Sequence, residues 1–196
     1  MKILAINGSY RRGGMIDQAV EAAAAAARAG GAEVETVLLT EKKIEFCTNC
    51  RACTQAPGPG RGDCPLADDM PALLDAIDAA DGLILAAPVN FFDATALFRR
   101  FLERLIPYAY WPWGAAAPKL RLKPGARKAV LITSAAMPAP IGRLFTGALK
   151  ALGNAASAAG TKKAGTLFIG IAALAEKAEL PAGDRRRAEA LGRKLL

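Results

Sequence analysis

The sequence contains no histidine among its 196 residues. This absence excludes histidine-dependent acid–base or nucleophilic catalysis, histidine-ligated zinc sites and Rieske-type iron–sulfur centres, because all of them use imidazole nitrogens. Any chemistry must therefore come from other side chains, from backbone groups or from a bound cofactor.

Long apolar segments are also lacking. The longest uncharged runs, residues 105–118 and 129–142, reach about 14 residues and contain prolines, whereas a transmembrane helix needs roughly 18 or more apolar residues. The chain leads directly from Lys2 into a short apolar strand, without the profile of a signal peptide. We therefore expect a cytoplasmic protein with no membrane partner.

Positive charge is in excess but is not concentrated. Lys and Arg number 26 against 18 Asp and Glu, which gives a formal net charge of +8. The basic residues are scattered along the chain in short runs, among them the pair at 11–12 and the triplet at 185–187. Nucleic-acid binding normally needs a basic patch or stripe, so we expect no nucleic-acid partner. Anionic ligands explain the excess more simply.

Apolar segments alternate with helical patterns along the whole chain. The pattern predicts strands at 2–7, 33–39, 83–87, 127–134 and 164–171, and helices at 16–29, from 68 or 69 through 80, and at 94–105, 141–159 and 183–195. Strands without polar alternation, separated by helices, are typical of a parallel sheet covered on both faces. Five such strands indicate a flavodoxin-like doubly wound α/β fold, with the parallel sheet in the order 2-1-3-4-5.

We expect one domain over residues 1–196, elaborated by two segments. The first is a cysteine loop insertion at 44–67, and the second is an aromatic segment at 106–125 with four prolines. The aromatic side chains are Tyr108, Tyr110, Trp111 and Trp113. They are interpreted either as a lid over a ligand or as an oligomer contact or small core. The oligomer contact is favoured, because so many exposed aromatics would otherwise promote aggregation.

All four cysteines of the chain lie within one short stretch, at Cys47, Cys50, Cys53 and Cys64. A [4Fe–4S] cluster needs such a grouping, with three thiolates from a compact turn and one from farther along. A tetrahedral zinc site with four thiolates would also fit the spacing, and free thiols are the third possibility. In a reducing compartment, clustered cysteines are more often metal-binding or catalytic than disulfide-bonded.

The loop after the first strand, residues 7–14, reads Asn-Gly-Ser-Tyr-Arg-Arg-Gly-Gly. Such a turn suits a phosphate, which gains backbone N–H groups, a hydroxyl donor and the positive end of the following helix. The loop is not a P-loop, because no Lys-Ser/Thr follows Gly13, and it lacks the GxGxxG fingerprint. A plain turn with surface arginines is the alternative.

Two further loops follow the third and fourth strands, at 88–95 and 133–137. Ligands of doubly wound sheets bind at the carboxyl ends of the strands, where the strand order reverses. The first of these loops is apolar but offers Asn90 and backbone amides, which suit a flat heteroaromatic ring with hydrogen bonds along one edge. Ordinary core packing of Phe91 and Phe92 is the alternative. Small residues in the other loop allow the backbone to approach the same ring.

Three motifs carry a resemblance to a known family. They are Gly8-Ser9-x-Arg11, Cys-x2-Cys-x2-Cys before Asp68-Asp69-Met70, and Ala87-Pro88-Val89-Asn90-Phe91. Over roughly residues 1–170 the chain resembles the NADPH-dependent FMN reductases and, within them, the iron–sulfur flavoproteins. The resemblance implies non-covalently bound FMN, with electrons from NAD(P)H or ferredoxin. In the iron–sulfur branch it also implies a cluster near the flavin and a homodimer or homotetramer.

Residue by residue, the resemblance assigns Ser9 and Arg11 to the FMN phosphate. The family usually has a polar pair where this chain has Met15-Ile16, and Arg12 or the amides of Gly13 and Gly14 would replace the missing donor. Pro88 through Phe91 would line the isoalloxazine, opposite Ser134 and Ala135. The full set of candidate cofactor-binding residues is Ser9, Arg11, Arg12, Gly13, Gly14, Met15, Ile16, Pro88, Val89, Asn90, Phe91, Phe92, Ser134, Ala135 and Ala136. The candidate metal ligands are the four cysteines.

The main hypothesis is an FMN-dependent oxidoreductase with no catalytic acid–base side chain. It would pass electrons from NAD(P)H or ferredoxin to a quinone, a flavin or another small acceptor. The alternatives are an FMN reductase without a cluster, a non-enzymatic electron carrier or redox sensor that uses the four-cysteine site, and a zinc-stapled interaction module without flavin.

Overall fold

The computed structural model describes residues 1–175 and 178–196. Its strands are β1 (Lys2–Asn7), β2 (Glu33–Leu38), β3 (Gly82–Ala86), β4 (Val89–Asn90), β5 (Asp93–Ala94), β6 (Ala109–Tyr110), β7 (Lys119–Leu120), β8 (Lys128–Ser134) and β9 (Lys162–Ile169). Its helices are α1 (Met15–Ala29), α2 (Met70–Ala79), α3 (Ala96–Glu103), α4 (Ala139–Phe145), α5 (Ala148–Ala158) and α6 (Ala182–Arg193). Single 3₁₀ turns cover Leu39–Glu41, Ala52–Thr54 and Ile106–Tyr108.

Five strands form one parallel sheet in the order β2-β1-β3-β8-β9. This is the predicted order 2-1-3-4-5, since β8 and β9 are the fourth and fifth long strands of the chain. All residues of β3 are buried, as the wholly apolar sequence of a central strand requires. The flavodoxin-like doubly wound fold is confirmed.

Helices cover both faces of the sheet. On one face, α2, α3 and α5 bury a core with alternate sheet residues such as Leu4, Leu83 and Leu131. On the other face, α1 and α6 cover the residues in between, such as Ile84 and Ile132. The alanines of α1 allow close contact with α6: a Cβ on Gly192 would lie 2.0 Å from the carbonyl oxygen of Ala23. The small side chains therefore set the spacing of this helix pair.

The predicted helix at 141–159 is wrong as one helix, because α4 and α5 are separate. Thr146 has an extended backbone at φ −118° and ψ 148°. The amide of the next residue, Gly147, donates to the carbonyl oxygen of Phe92 at 2.7 Å. A Cβ on Gly147 would also lie 3.0 Å from the carboxyl group of Asp93. The break between α4 and α5 thus coincides with a contact to the β4–β5 hairpin, which is distant along the chain. The residues around 146 do not by themselves predict this contact.

The aromatic segment packs against the cysteine loop. Within the aromatic segment, β6 and β7 pair as a short antiparallel ribbon. The Trp111 amide donates to the Thr54 carbonyl oxygen at 2.9 Å, and the Gly62 amide donates to the Pro107 carbonyl oxygen at 2.9 Å. Tyr108 is fully buried, whereas Trp113 is exposed. The segment is therefore bonded to the cysteine loop through its backbone, Tyr108 belongs to the core on the α2 side of the sheet, and part of the aromatic surface faces solvent.

None of the helices in the described ranges combines the length and the apolarity that crossing a bilayer requires.

Candidate functional site

An open pocket of about 280 Å³ lies at the carboxyl ends of the sheet strands. Its residues follow β1, β3, β8 and β9, so it includes the point where the strand order reverses between β1 and β3. Doubly wound sheets bind their ligands at this place. The volume is close to the lower end of the roughly 300–1,000 Å³ that small-molecule sites occupy. The lining residues are Ser9, Tyr10, Arg11, Gly14, Met15, Ile16, Pro88, Val89, Asn90, Ser134, Ala135, Ala136, Ala172, Ala173, Ala175 and Ala178.

Hydrogen bonds fix the shape of the loop after β1. The Ser9 amide donates to Oδ1 of Asn7 at 2.8 Å, and the Arg11 amide donates to Oγ of Ser9 at 3.1 Å. Asn7 in turn donates from Nδ2 to Asp17 at 2.7 Å, and the Gly13 amide donates to the same carboxylate at 2.7 Å. The loop is therefore shaped by its own polar groups, and the amide of Gly13 already has a partner.

The first turn of α1 opens toward this pocket. No side chain caps the helix at Gly14, and Gly14, Met15 and Ile16 all line the pocket. The first amides of a helix lack intrahelical partners and carry partial positive charge, so they favour an anion. Together with the Ser9 hydroxyl and the Arg11 side chain, they provide donors suited to a phosphate.

The loop after β3 is a tight hairpin made by β4 and β5. Phe91 and Phe92 form its tip with left-handed backbones, at φ 48° and 68°, and their exposed fractions are 99% and 59%. Thr95 fixes the base: its hydroxyl donates to the Gly8 carbonyl oxygen at 2.7 Å and accepts from the Phe98 amide at 3.2 Å. The hairpin therefore presents Val89 and Asn90 to the pocket and both phenylalanines to solvent.

The loops after β8 and β9 complete the pocket. The Ala135 amide donates to the Ile169 carbonyl oxygen at 2.9 Å, and the Ala172 amide donates to the Ala135 carbonyl oxygen at 2.9 Å. Gln18 of α1 also contacts this wall, since its Nε2 donates to the carbonyl oxygen of Ala178 at 3.0 Å. The residues of these two loops that line the pocket are alanines and one serine, so their side chains take little space from a ligand.

Most, but not all, of the predicted cofactor-binding residues meet in this pocket. Four do not line it: Arg12, Gly13, Phe91 and Phe92. Arg12 instead pairs with Glu41 on the surface. The sequence analysis missed Tyr10, Ala172, Ala173, Ala175 and Ala178. The predicted sheet order could have identified the four alanines, because the loop that follows the fifth strand must begin at the same edge of the sheet as the other loops.

The four cysteines differ in their surroundings. Cys53 is buried with 5% of its surface exposed, Cys47 and Cys64 are half-buried, and Cys50 is exposed. Burial, followed by the charges of the other three thiols with Cys64 first, raises the pKa of Cys53 to about 11. A hydrogen bond from the Ala52 backbone and another from Thr48 lower the pKa of Cys50. The thiols are therefore near enough to influence one another electrostatically.

Three arginines contact the cysteine loop. The guanidinium of Arg51 lies between the rings of Trp111 and Trp113, with 3.8 and 4.1 Å to the ring centroids. Arg121 donates to the Cys53 carbonyl oxygen at 3.4 Å. Arg104 donates to the Cys64 sulfur at 3.6 Å. Of the three, only Arg104 reaches a sulfur, and a cationic donor there favours an anionic thiolate.

The donor chemistry of the cysteine loop suits a soft metal centre, because four thiols are its sulfur donors. Within residues 1–175 and 178–196, however, no three His, Cys, Asp or Glu side chains lie close enough together to hold a metal ion. The loop would have to contract to bring its sulfurs together. Apart from the Ala52–Thr54 turn, no helix or strand in the described part of this loop opposes that contraction.

The family model described as NADPH-dependent FMN reductase matches residues 1–141. The chain belongs to this family. It is thus a member of a family of oxidoreductases, and the family resemblance predicted from the motifs is confirmed.

Curated relatives carry a more specific name. The chain is 36% identical to an iron–sulfur flavoprotein of Archaeoglobus fulgidus over 112 residues, covering 57% of this chain and 49% of the relative. It is 33% identical to an iron–sulfur flavoprotein of Methanocaldococcus jannaschii over 107 residues, covering 55% of this chain and 53% of the relative. The chain therefore spans about half the length of the curated relatives it matches.

A solved structure matches the fold along the whole chain. The NAD(P)H:quinone oxidoreductase from Methanothermobacter marburgensis superimposes with a TM-score of 0.74 at 18% identity, covering 100% of this chain and 99% of the other. At this identity the likeness shows the fold alone.

Proposed function

We propose that this protein binds FMN in the pocket at the strand ends and transfers electrons from NAD(P)H or ferredoxin to a quinone, a flavin or another small acceptor. One observation carries the proposal: a phosphate-type loop and an uncapped helix end open into the pocket where a doubly wound sheet binds its ligand. Membership of the FMN reductase family supports it.

The phosphate would lie against the loop after β1. Ser9 offers its hydroxyl, Arg11 its guanidinium, and the first turn of α1 its free amides. Asp17 lies in the same turn, but its two oxygens already accept from Asn7 and Gly13. This pairing reduces the repulsion that its carboxylate would exert on a bound phosphate. Arg12 is held by Glu41 on the surface, so the proposal gives it no direct contact.

The ring system would lie between the loop at 88–90 and the loop at 134–136. Bound FMN supplies the redox chemistry, while the protein contributes position and electrostatics. Pro88 and Val89 would exclude water from one side of the ring, and Ala135 would do so from the other. Asn90 and nearby backbone groups would bond polar atoms at the ring edge. No acid–base side chain is needed for these roles.

We further propose that Cys47, Cys50, Cys53 and Cys64 ligate a [4Fe–4S] cluster. Four thiols in one loop, one of them bonded by Arg104, support this assignment, and curated relatives bear the name iron–sulfur flavoprotein. The cluster would supply one-electron chemistry, and the chain would supply the ligands and the positive surroundings. The single domain over 1–196 and the homodimer or homotetramer are further proposals. Light scattering of the loaded protein tests the oligomeric state, and a single cooperative unfolding transition is expected for one domain.

The experiment is an anaerobic absorption spectrum of freshly purified protein, with iron, sulfide, zinc and flavin assayed on the same sample. We expect one FMN per chain, together with four iron and four sulfide ions per chain, as one [4Fe–4S] cluster requires. Arg11→Ala is expected to weaken FMN binding by roughly ten- to a hundredfold, because a hydrogen bond to a charged group contributes about 1.5–3 kcal/mol. Arg193→Ala, which changes an exposed arginine at the far end of α6, serves as the control.

The other outcomes separate the alternatives. Flavin without iron would support an FMN reductase whose cysteines are free thiols. Zinc without flavin would support an interaction module. Flavin and cluster without oxidation of either NAD(P)H or reduced ferredoxin, in the presence of quinone or free flavin, would favour an electron carrier or redox sensor. Protein that binds no added FMN would refute the main proposal.

A further inference from the structure

The side chain of Arg104 joins the two ends of the cysteine loop. It is 1% exposed and pairs with Asp68, whose side chain is 0% exposed. Its Nη1 donates to the Glu45 carbonyl oxygen at 2.8 Å, at the beginning of the loop. Its Nη2 donates to Oδ1 of Asp68 at 3.2 Å and to the Cys64 sulfur at 3.6 Å, at the end of the loop. One guanidinium thus contacts both ends and one thiol.

The orientation of this guanidinium is fixed by its partners. All four of its Nη hydrogens have acceptors, on Glu45, Asp68 and Cys64. Asp68 is held as well, because its oxygens accept from the Glu45 amide at 2.8 Å and the Met70 amide at 3.0 Å. Arginine does not lose its charge in proteins. The folded chain by itself therefore places a permanently charged hydrogen-bond donor beside the Cys64 sulfur.

We propose that Arg104 is a positioning residue for Cys64 and that it raises the reduction potential of the cluster. This inference rests on the proposed [4Fe–4S] site. Hydrogen bonds to the ligand sulfurs and the local charge set the potential of such clusters, and partners outside the ligand set orient the ligands themselves. Because the reduced cluster carries one more negative charge, a cationic donor on a ligand sulfur stabilises the reduced form more than the oxidised form.

The test compares three variants of the full chain. Arg104→Met alone would leave the Asp68 carboxylate buried and unpaired, which is strongly destabilising. The main variant is therefore Arg104→Met combined with Asp68→Asn, which removes both charges. Asp68→Asn alone is the matched control, because it keeps the donor to Cys64. It also leaves the buried Arg104 charge without its carboxylate, so its stability is measured beside that of the double variant. Arg104→Lys keeps the charge but loses the planar fork. FMN content and far-ultraviolet circular dichroism confirm that each variant folds.

The first readout is the midpoint potential of the cluster, from a dithionite titration followed by electron paramagnetic resonance. Relative to Asp68→Asn alone, the double variant is expected to show an equilibrium constant for one-electron reduction at least tenfold lower, about 59 mV toward more negative potential. Asp68→Asn alone is expected to stay at or above the wild-type potential. Arg104→Lys is expected to lie between the double variant and the wild type. A loaded double variant with the same potential as Asp68→Asn alone overturns the inference.

The second readout needs no metal. Amide hydrogen exchange of the metal-free protein over residues 44–68 is expected to be at least tenfold faster in the double variant than in the wild type. Exchange that matches the wild type would overturn the positioning role. A double variant that folds but fails to load the cluster, while Asp68→Asn loads it, supports that role. Wild-type protein that takes up no iron and sulfide on anaerobic reconstitution overturns the proposed cluster and this inference with it.

Discussion

Gly62 lies directly against the backbone of Cys53, so that a Cβ atom added to Gly62 would stand 1.8 Å from the Cys53 carbonyl oxygen. Its own amide donates to the Pro107 carbonyl oxygen at 2.9 Å. The glycine therefore connects the cysteine loop with the aromatic segment at a place where no side chain fits.

Gly62→Ala is expected to destabilise the protein by about 1–3 kcal/mol, the usual cost of forcing extra atoms into a packed site. Thermal unfolding would show a Tm lower by several degrees, since about 1 kcal/mol corresponds to roughly 2–4 °C at this chain length. Gly60→Ala is the control, because a Cβ there meets nothing within 4 Å. Equal Tm values for the two variants would contradict the close approach.

Arg51→Ala is expected to remove the stacking of the guanidinium between Trp111 and Trp113. These are the only two tryptophans of the chain, so their fluorescence reports on the cysteine loop. We expect emission at longer wavelength, because both rings gain contact with water, and a loss of about 0.5–2 kcal/mol of stability. In the control Arg61→Ala, which breaks pairs with Asp75 and Asp78 instead, the emission should not change. An unchanged spectrum in Arg51→Ala would refute the stacking.

Phe92→Gly is expected to stabilise the protein, although it removes a large side chain. Phe92 has φ 68°, and a left-handed backbone costs an ordinary residue about 1–2 kcal/mol that glycine avoids. Phe92→Ala removes the ring but keeps the strain, so the difference in Tm between the two variants isolates the backbone contribution. We expect the glycine variant to melt roughly 2–4 °C or more above the alanine variant. The reverse order would contradict the strain.

The stability of the protein is expected to fall at alkaline pH because of Tyr108. Burial, followed by the hydrogen bond to Asp78, raises the pKa of this phenol well above its ordinary value of 10.0. The folded chain then retains a proton that the unfolded chain releases. This contribution to the free energy of unfolding is complete below about pH 10 and is lost as the pH rises toward the pKa of the folded state.

Denaturant unfolding between pH 8 and pH 11 measures this effect. Tyr108→Phe is expected to cost about 1 kcal/mol at neutral pH, through the lost hydrogen bond to Asp78, and to flatten the alkaline slope. Tyr110→Phe, at a half-buried ring of the same segment, should keep the wild-type slope. If Tyr108→Phe leaves the slope unchanged, another group causes the alkaline decrease.

The strands of the sheet were predictable because each is marked by the residue types within its own segment. Segments such as Gly82–Ala86 are short, apolar at every position and bounded by turn residues, which is typical of a strand covered on both faces. The strand order is that of the flavodoxin-like fold, which five such strands indicate. The same reasoning placed the loops containing Ser9 and Asn90 at one edge of the sheet, where the pocket lies.

Several features of the sites were not predictable in this way. The break between α4 and α5 coincides with a bond from Gly147 to Phe92, 55 residues away along the chain. The outward position of both hairpin phenylalanines depends on the left-handed turn at their tip. Neither helical nor strand periodicity contains such contacts, because periodicity reports only which face of an element is apolar.

The sequence by itself determined the strands, their order, the loops that meet at the pocket and the grouping of the four thiols, since each of these depends on residue type and spacing along the chain. Only the tertiary structure decided that Arg104 lies beside Cys64, that Arg51 stacks between two tryptophans and that Cys53 is buried. Those contacts, such as the bonds of Arg104 to Cys64 and of Arg51 to Trp111, join residues 40 and 60 positions apart along the chain. They depend on how distant segments pack against each other, which no local sequence pattern predicts.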